Sequence, residues 1–253
     1  MDEGTETFLS HLIELRDRLI RCLVAVGIAF IPAFIYSAEL YDFLARPVIA
    51  SLPTGSHMIA TGVITPFLIP MKIGLLAAFL AVLPYVLYQA WAFVAPGLYA
   101  HEKKLVLPLI VSSTVLFFCG MAFCYYFVFG AVFAFINRFA PKSVSVAPDI
   151  EAYFNFVIGM FLAFGIAFEL PVLVVVLVLT GLVTTAQLAE WRGYVIVAIF
   201  VVAAVVTPPD VVSQLSLAIP MCLLYEIGIL FAKLVEKRRK SPEPASGAPP
   251  AAG

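Results

Sequence analysis

Long apolar runs alternate along this chain with short charged or proline-rich stretches. Runs of helical length lie at about 19–38, 66–90, 105–129, 153–179, 193–207 and 211–231. A bilayer core of about 30 Å takes roughly 20 apolar residues in a helix, so the pattern predicts six spanning helices. The fifth run, between Arg192 and Pro208, covers only about 22 Å at about 1.5 Å of rise per residue. The sixth is equally short if Glu226 marks its wet end. Two short neighbours joined by the turn TPPD predict a thinned bilayer, or tilted helices, at one edge of the protein. Pro32, Pro84, Pro108, Pro171 and Pro220 lie within or at the ends of these runs. Each removes a backbone donor and bends its helix, which predicts a curved wall with a concave face rather than a straight bundle.

The segments between the runs carry their own pattern. In the loop at about 39–65, Leu40, Phe43, Leu44, Val48 and Ile49 form a helical stripe interrupted by Pro47. This predicts an interfacial amphipathic helix, or a cap over the external ends of the spans. Phe8, Leu12, Leu15 and Leu19 form a second stripe, expected to lie along the membrane surface before the first span. The charged start lacks a cleavable secretory pattern and is read as retained. Residues 1–235 are expected to form the membrane domain. Residues 236–253 are expected to form a basic anchor followed by the disordered tail SPEPASGAPPAAG. The two halves show no internal repeat.

Composition narrows the class. The 253 residues are 63% hydrophobic and 12% charged, against about 25% charged in soluble domains, and the mean hydropathy is +1.06. The chain is therefore read as an all-α integral membrane protein. Arg16, Arg18, Arg21, Lys103, Lys104, Arg192, Lys233 and the run Lys237–Lys240 fall on the side of both termini, against Arg46, Arg138 and Lys142 opposite. That asymmetry places both termini in the cytoplasm. Lys72, near the start of the second run, is ambiguous. Cys22, Cys119, Cys124 and Cys222 sit in or beside apolar runs and read as packing residues. His11, His57 and His101 read as scattered in loops on different sides. No catalytic, metal, cofactor or nucleic-acid motif is present, so no enzyme is predicted.

The most informative single residue is Glu169, the only charge in FVIGMFLAFGIAFELPVLVVVLVL. A carboxylate there costs about 2.5–3.5 kcal/mol on insertion scales, which makes it a functional candidate by default. It is read as a functional polar site inside the membrane, or as a polar pair that locks two helices. Two alternatives stand beside it. One is a proton-coupled transporter of a small solute with Glu169 as relay, Glu226 being the only other intramembrane acid. The other is a scaffold in which Glu169 merely pairs with a polar group such as Gln89 or Asn155. Glu14 reads as half of a helical ion pair with Arg18, worth about 0.2–0.5 kcal/mol, and Glu102 as a solvated loop charge. If the two carboxylates met beside Phe93 and Leu98, they would suit a ligand carrying arginines followed by an apolar stretch.

Five separated blocks resemble the TatC family, the receptor subunits of twin-arginine protein translocases. They are HLIELRDRL, RPVIASLPTGSHMIAT, VLYQAWAFVAPGLYAHEKK, FGIAFELPV and TPPDVVSQLSLAIPMCLLYEIGI. The resemblance implies a glove-shaped, six-span receptor in the bacterial inner membrane. It implies binding of twin-arginine signal peptides and export of folded proteins by the proton-motive force. It also implies TatA- and TatB-type single-span partners and a homo-oligomer within a larger complex. Glu14 and Glu102 match the carboxylates that receive the arginine pair, and Phe93 and Leu98 match positions in the same cytoplasmic recognition loop. Pro47 matches a functionally sensitive proline of the first external loop, Asp210 the acidic residue of the external turn after the fifth span, and Glu169 the acid of the concave cavity. Thr207 and Gln214 match the docking site for a partner helix.

Overall fold

The computed structural model of the protein describes residues 3–51, 58–94, 103–139, 148–207 and 210–240. These are helical almost throughout. Helix α1 is Glu3–Ile35 and α2 is Ser37–Ser51. Thr65–Ala81 is α3 and Leu83–Val94 is α4. Lys103–Phe123 forms α5, a π-turn follows at Cys124–Val128, and Phe129–Phe139 is α6. Ile150–Phe168 is α7 and Leu170–Leu179 is α8. Short α9 (Thr185–Glu190) leads into α10 (Arg192–Val206) and α11 (Val211–Lys240).

Four helical stretches are long and apolar enough to cross a membrane: 9–35, 106–135, 150–179 and 211–237. The pair α3–α4 also qualifies but bends by 64°. At 15 residues, α10 falls short, as its sequence predicts. The sixth helix itself is not short: α11 has 30 residues. What shortens its apolar part is Glu226, about halfway along, which is paired with Arg192 at the start of α10 at 2.7 Å.

Only two of the prolines noted in the apolar runs coincide with breaks. Pro84 has no N–H for the Leu80 carbonyl, and the chain turns at Val82 between α3 and α4. Pro171 likewise leaves the Ala167 carbonyl without its helical donor, and Glu169 sits in the resulting gap between α7 and α8. Pro32, Pro108 and Pro220 lie inside unbroken helices.

The N-terminal stripe does not turn onto a surface before the span. It continues into the span as one helix of 33 residues, because nothing between Glu3 and Ile31 breaks the i→i−4 ladder. No residue of its 9–35 stretch is buried. Helix α1 packs against α3 and α4, while α5 packs on α7 and α8 on α11. Phe129, Phe154, Phe164, Ile69, Ile73 and Met160 form the centre of the core.

The cap expected from the first loop is present. Pro47 lies inside α2 without ending it. Its missing N–H frees the Phe43 carbonyl, and the Tyr125 hydroxyl donates to that oxygen at 3.0 Å. The Tyr153 hydroxyl donates to the Leu44 carbonyl at 2.8 Å. Tyr41 stacks on Phe154, and Phe43 stacks on Tyr125 with the Arg46 guanidinium 5.7 Å from its ring. The π-turn that presents Tyr125 carries no periodic signal in the sequence.

A second clasp lies at the same end. Ile59 pairs with Asp149, whose Oδ1 accepts from the Thr61 N–H and hydroxyl and whose Oδ2 caps α7 through the Ala152 N–H. The Ala152 N–H, and then the Thr61 hydroxyl, hold the Asp149 carboxyl below its ordinary value of 3.8. A lowered folded-state pKa gives stability that is present above the unfolded value and lost as pH falls through the folded one. Acidification below about pH 4 is therefore expected to loosen this clasp. Asp149→Asn is expected to flatten the acid-side fall in thermal stability of the purified protein. Lys72, ambiguous in the sequence, belongs near this end, bonded to Asn155 at 2.9 Å and 3.6 Å from Glu151.

Candidate functional site

Three groups of polar residues stand out, at the two ends of the helices and between them. Towards the start of α1, α1 and α4 are joined twice. His11 stacks on Phe93 with ring centroids 4.2 Å apart. About two turns on, Arg18 donates through Nε and Nη2 to Glu14 Oε1, at 2.9 and 2.6 Å, and through Nη1 to Gln89 Oε1 at 3.0 Å. Glu14 and Phe93, read from the sequence as one surface, thus lie on adjoining helices. Leu98 and Glu102 lie outside the described residues. His11 corrects the reading of scattered loop histidines: it is on α1 and in ring contact with a candidate recognition residue. Its signal was obscured because the contact spans two helices and leaves no local motif.

Glu169 occupies the gap between α7 and α8, and both its carboxylate oxygens are buried without a hydrogen-bond partner among the described residues. The polar group facing it is the Ser113 hydroxyl. Ser113 is itself fully buried and accepts from Trp91 Nε1 at 2.8 Å. Two partners named for the scaffold alternative are engaged elsewhere. Asn155 is held by Lys72 and Gln89 by Arg18, so neither pairs with Glu169. Glu226 is also committed, to Arg192.

The third group closes the hairpin of α10 and α11. Asp210 Oδ1 accepts the Ser213 N–H at 2.7 Å and so caps α11. Thr207 is buried and donates to the Ala203 carbonyl at 2.7 Å. Gln214 donates to the Phe200 carbonyl at 3.3 Å. Both of these side chains therefore bind the hairpin itself. Ser213, which the sequence reading missed, is fully buried beside them with no partner for its hydroxyl among the described residues. It had no signal beyond its i+3 spacing from Asp210.

A sequence model of the family described as Sec-independent protein translocase protein (TatC) matches residues 10–220. The chain is 47% identical over 236 residues to the TatC protein of Haemophilus influenzae, covering 93% of this chain and 92% of that one. It is 46% identical to that of Escherichia coli strain K12, covering 91% and 90%. The chain belongs to the TatC family. A crystal structure of the twin-arginine translocase receptor TatC superposes with a TM-score of 0.76 at 38% identity, covering 89% of this chain and 99% of the other.

TatC membership makes the chain a core component of a protein translocase of the membrane, and the small-solute transporter alternative finds no support. Among the described residues no group of three His, Cys, Asp or Glu side chains is placed to hold a metal ion. All four cysteines are unpaired.

Proposed function

We propose that this chain is the receptor that captures twin-arginine signal peptides for export of folded proteins. It works without catalysis, in the bacterial inner membrane, with both termini cytoplasmic. In this reading the six helical paths all cross, and the whole has the glove shape of the family with Glu169 on its concave side. TatA- and TatB-type subunits and further copies of the chain complete the complex, and the proton-motive force drives passage. Thr207 and Gln214 mark the edge where a partner helix docks, where the short α10 thins the bilayer. Pro47 and Asp210 hold the loops at the far end.

The observation that carries the reading is the Glu14 carboxylate, 40% exposed on α1 beside the His11–Phe93 stack. A carboxylate held next to aromatic surface suits an arginine followed by an apolar stretch, through a charge-assisted fork. Glu102 is assigned to the second arginine, with Leu98 against the apolar stretch.

The test is export of a folded reporter carrying a twin-arginine signal. Glu102→Lys and Glu14→Lys are each expected to bring export to background and to remove crosslinking of the signal, while the receptor still accumulates. Undiminished export with unchanged crosslinking would overturn the assignment.

A further inference from the structure

We propose that Arg18 is a built-in competitor for the arginine-binding carboxylate, so that the receptor's own guanidinium occupies Glu14 until a signal displaces it. The inference rests on the reading of Glu14 as a signal-binding residue.

The geometry is tighter than that of a solvated helical pair. Both Arg18 donors, Nε and Nη2, converge on the single oxygen Glu14 Oε1. The Arg18 side chain is only 22% exposed. Its third nitrogen, Nη1, is anchored on Gln89, which is 5% exposed. A carboxylate suited to a guanidinium therefore already holds one of the same chemistry, at the same distances a ligand would use.

Displacement has a route. Arg18 can leave Glu14 and keep the Nη1 bond to Gln89, so its charge is not stranded when a ligand arrives. Because the competitor sits four residues away on one helix, it is present at all times and at constant strength. The apparent affinity for any ligand at Glu14 is then reduced by the fraction of receptors whose carboxylate is free. That factor is the same for every ligand. Arg18 therefore sets a threshold for binding and not a preference among signals. Weak or partial signals fall below it, while a pair of arginines with an apolar stretch exceeds it through its other contacts.

The neighbouring cations differ. Arg16 is exposed and bonded to Asp17. Arg21, one turn further along, is exposed and makes no contact with Glu14. Arg21→Gln therefore removes the same charge from the same helix without freeing the carboxylate.

The experiment measures binding of two synthetic signal peptides, one with Arg-Arg and one with Lys-Lys, to the purified full-length protein in detergent. Arg18→Gln is expected to tighten both peptides by the same factor, about three- to tenfold. Arg18→Lys keeps the charge but loses the fork, and is expected to fall between it and the unaltered protein. Arg21→Gln is expected to leave both affinities within about twofold. In a Glu14→Gln background, Arg18→Gln is expected to give no gain. Weaker or unchanged binding in Arg18→Gln overturns the proposal and makes Arg18 a positioning residue for Glu14. An equal gain in Arg21→Gln overturns it in favour of general electrostatics. If Glu14→Gln loses binding while Arg18→Gln changes nothing, only the competitor is refuted. If Glu14→Gln binds both peptides normally, the receptor reading of Glu14 falls with it.

Discussion

Gly120→Ala in α5 is expected to be the most destabilising small change in the described helices. A Cβ on Gly120 would be driven against the Phe164 carbonyl oxygen of α7, and would lie 2.9 Å from both its carbonyl carbon and the Phe168 ring. The obstacle is backbone, which cannot rotate aside as a side chain does, so the two helices must separate. On the facing side, a Cβ on Gly165 would lie 2.5 Å from the Phe117 ring, itself buried. This reciprocal contact is the small-residue packing by which helices associate in lipid, where apolar burial alone gives little. Overpacking costs about 1–3 kcal/mol and the rigid obstacle favours the upper end. The gain in helix propensity, about 1 kcal/mol, reduces this without reversing it. Gly159 in α7 is the control, because nothing lies within 4 Å of its added Cβ. Gly159→Ala is expected to be neutral or slightly stabilising. Thermal unfolding of the two purified variants separates these outcomes, and equal melting temperatures would refute the close contact.

The same packing shows what could be read from the sequence. Apolar periodicity located every membrane-length stretch, and the stripe in 39–65 announced α2, because both depend on local hydrophobicity. The breaks at Val82 and Glu169 followed from Pro84 and Pro171, two residues downstream. The capping box of Thr184 with Gln187 starts α9, in a segment too short and too polar for hydropathy to mark. Other features had no local signature. The N-terminal stripe reads alike whether it lies on a surface or continues a span, and only the unbroken α1 decides. The π-turn at Cys124–Val128 is an insertion in register, invisible to hydropathy. For the site, Glu14 with Arg18 was readable as an i,i+4 pair. The bond from Arg18 to Gln89 and the stack of His11 on Phe93 join residues far apart in the chain. Single-sequence patterns carry no information on such pairs, and the family resemblance supplied roles for residues but not their partners.

Glu169→Leu is expected to separate stability from export. A buried carboxylate that served the fold would have partners, and its loss would leave them unsatisfied at a cost of about 1–3 kcal/mol. Among the described residues neither Glu169 oxygen has a hydrogen-bond partner, while Asn155 and Gln89, which could have supplied one, are bound elsewhere. Removing an orphaned polar group from an apolar setting relieves its desolvation cost, and leucine fills nearly the same volume. Glu169→Leu is therefore expected to unfold at a higher temperature than the unaltered protein, by about 1–3 kcal/mol in stability. Export of a folded reporter is expected to fall steeply, as the role proposed above for Glu169 on the concave side requires. Glu169→Gln retains a polar head that can bond an incoming helix, and is expected to keep part of the export. Ser113→Ala removes the hydroxyl that faces Glu169 and strands the Trp91 N–H. It is expected to lower stability instead, which distinguishes the Trp91–Ser113 bond from the carboxylate beside it. A Glu169→Leu protein that is less stable and exports normally would return Glu169 to the scaffold.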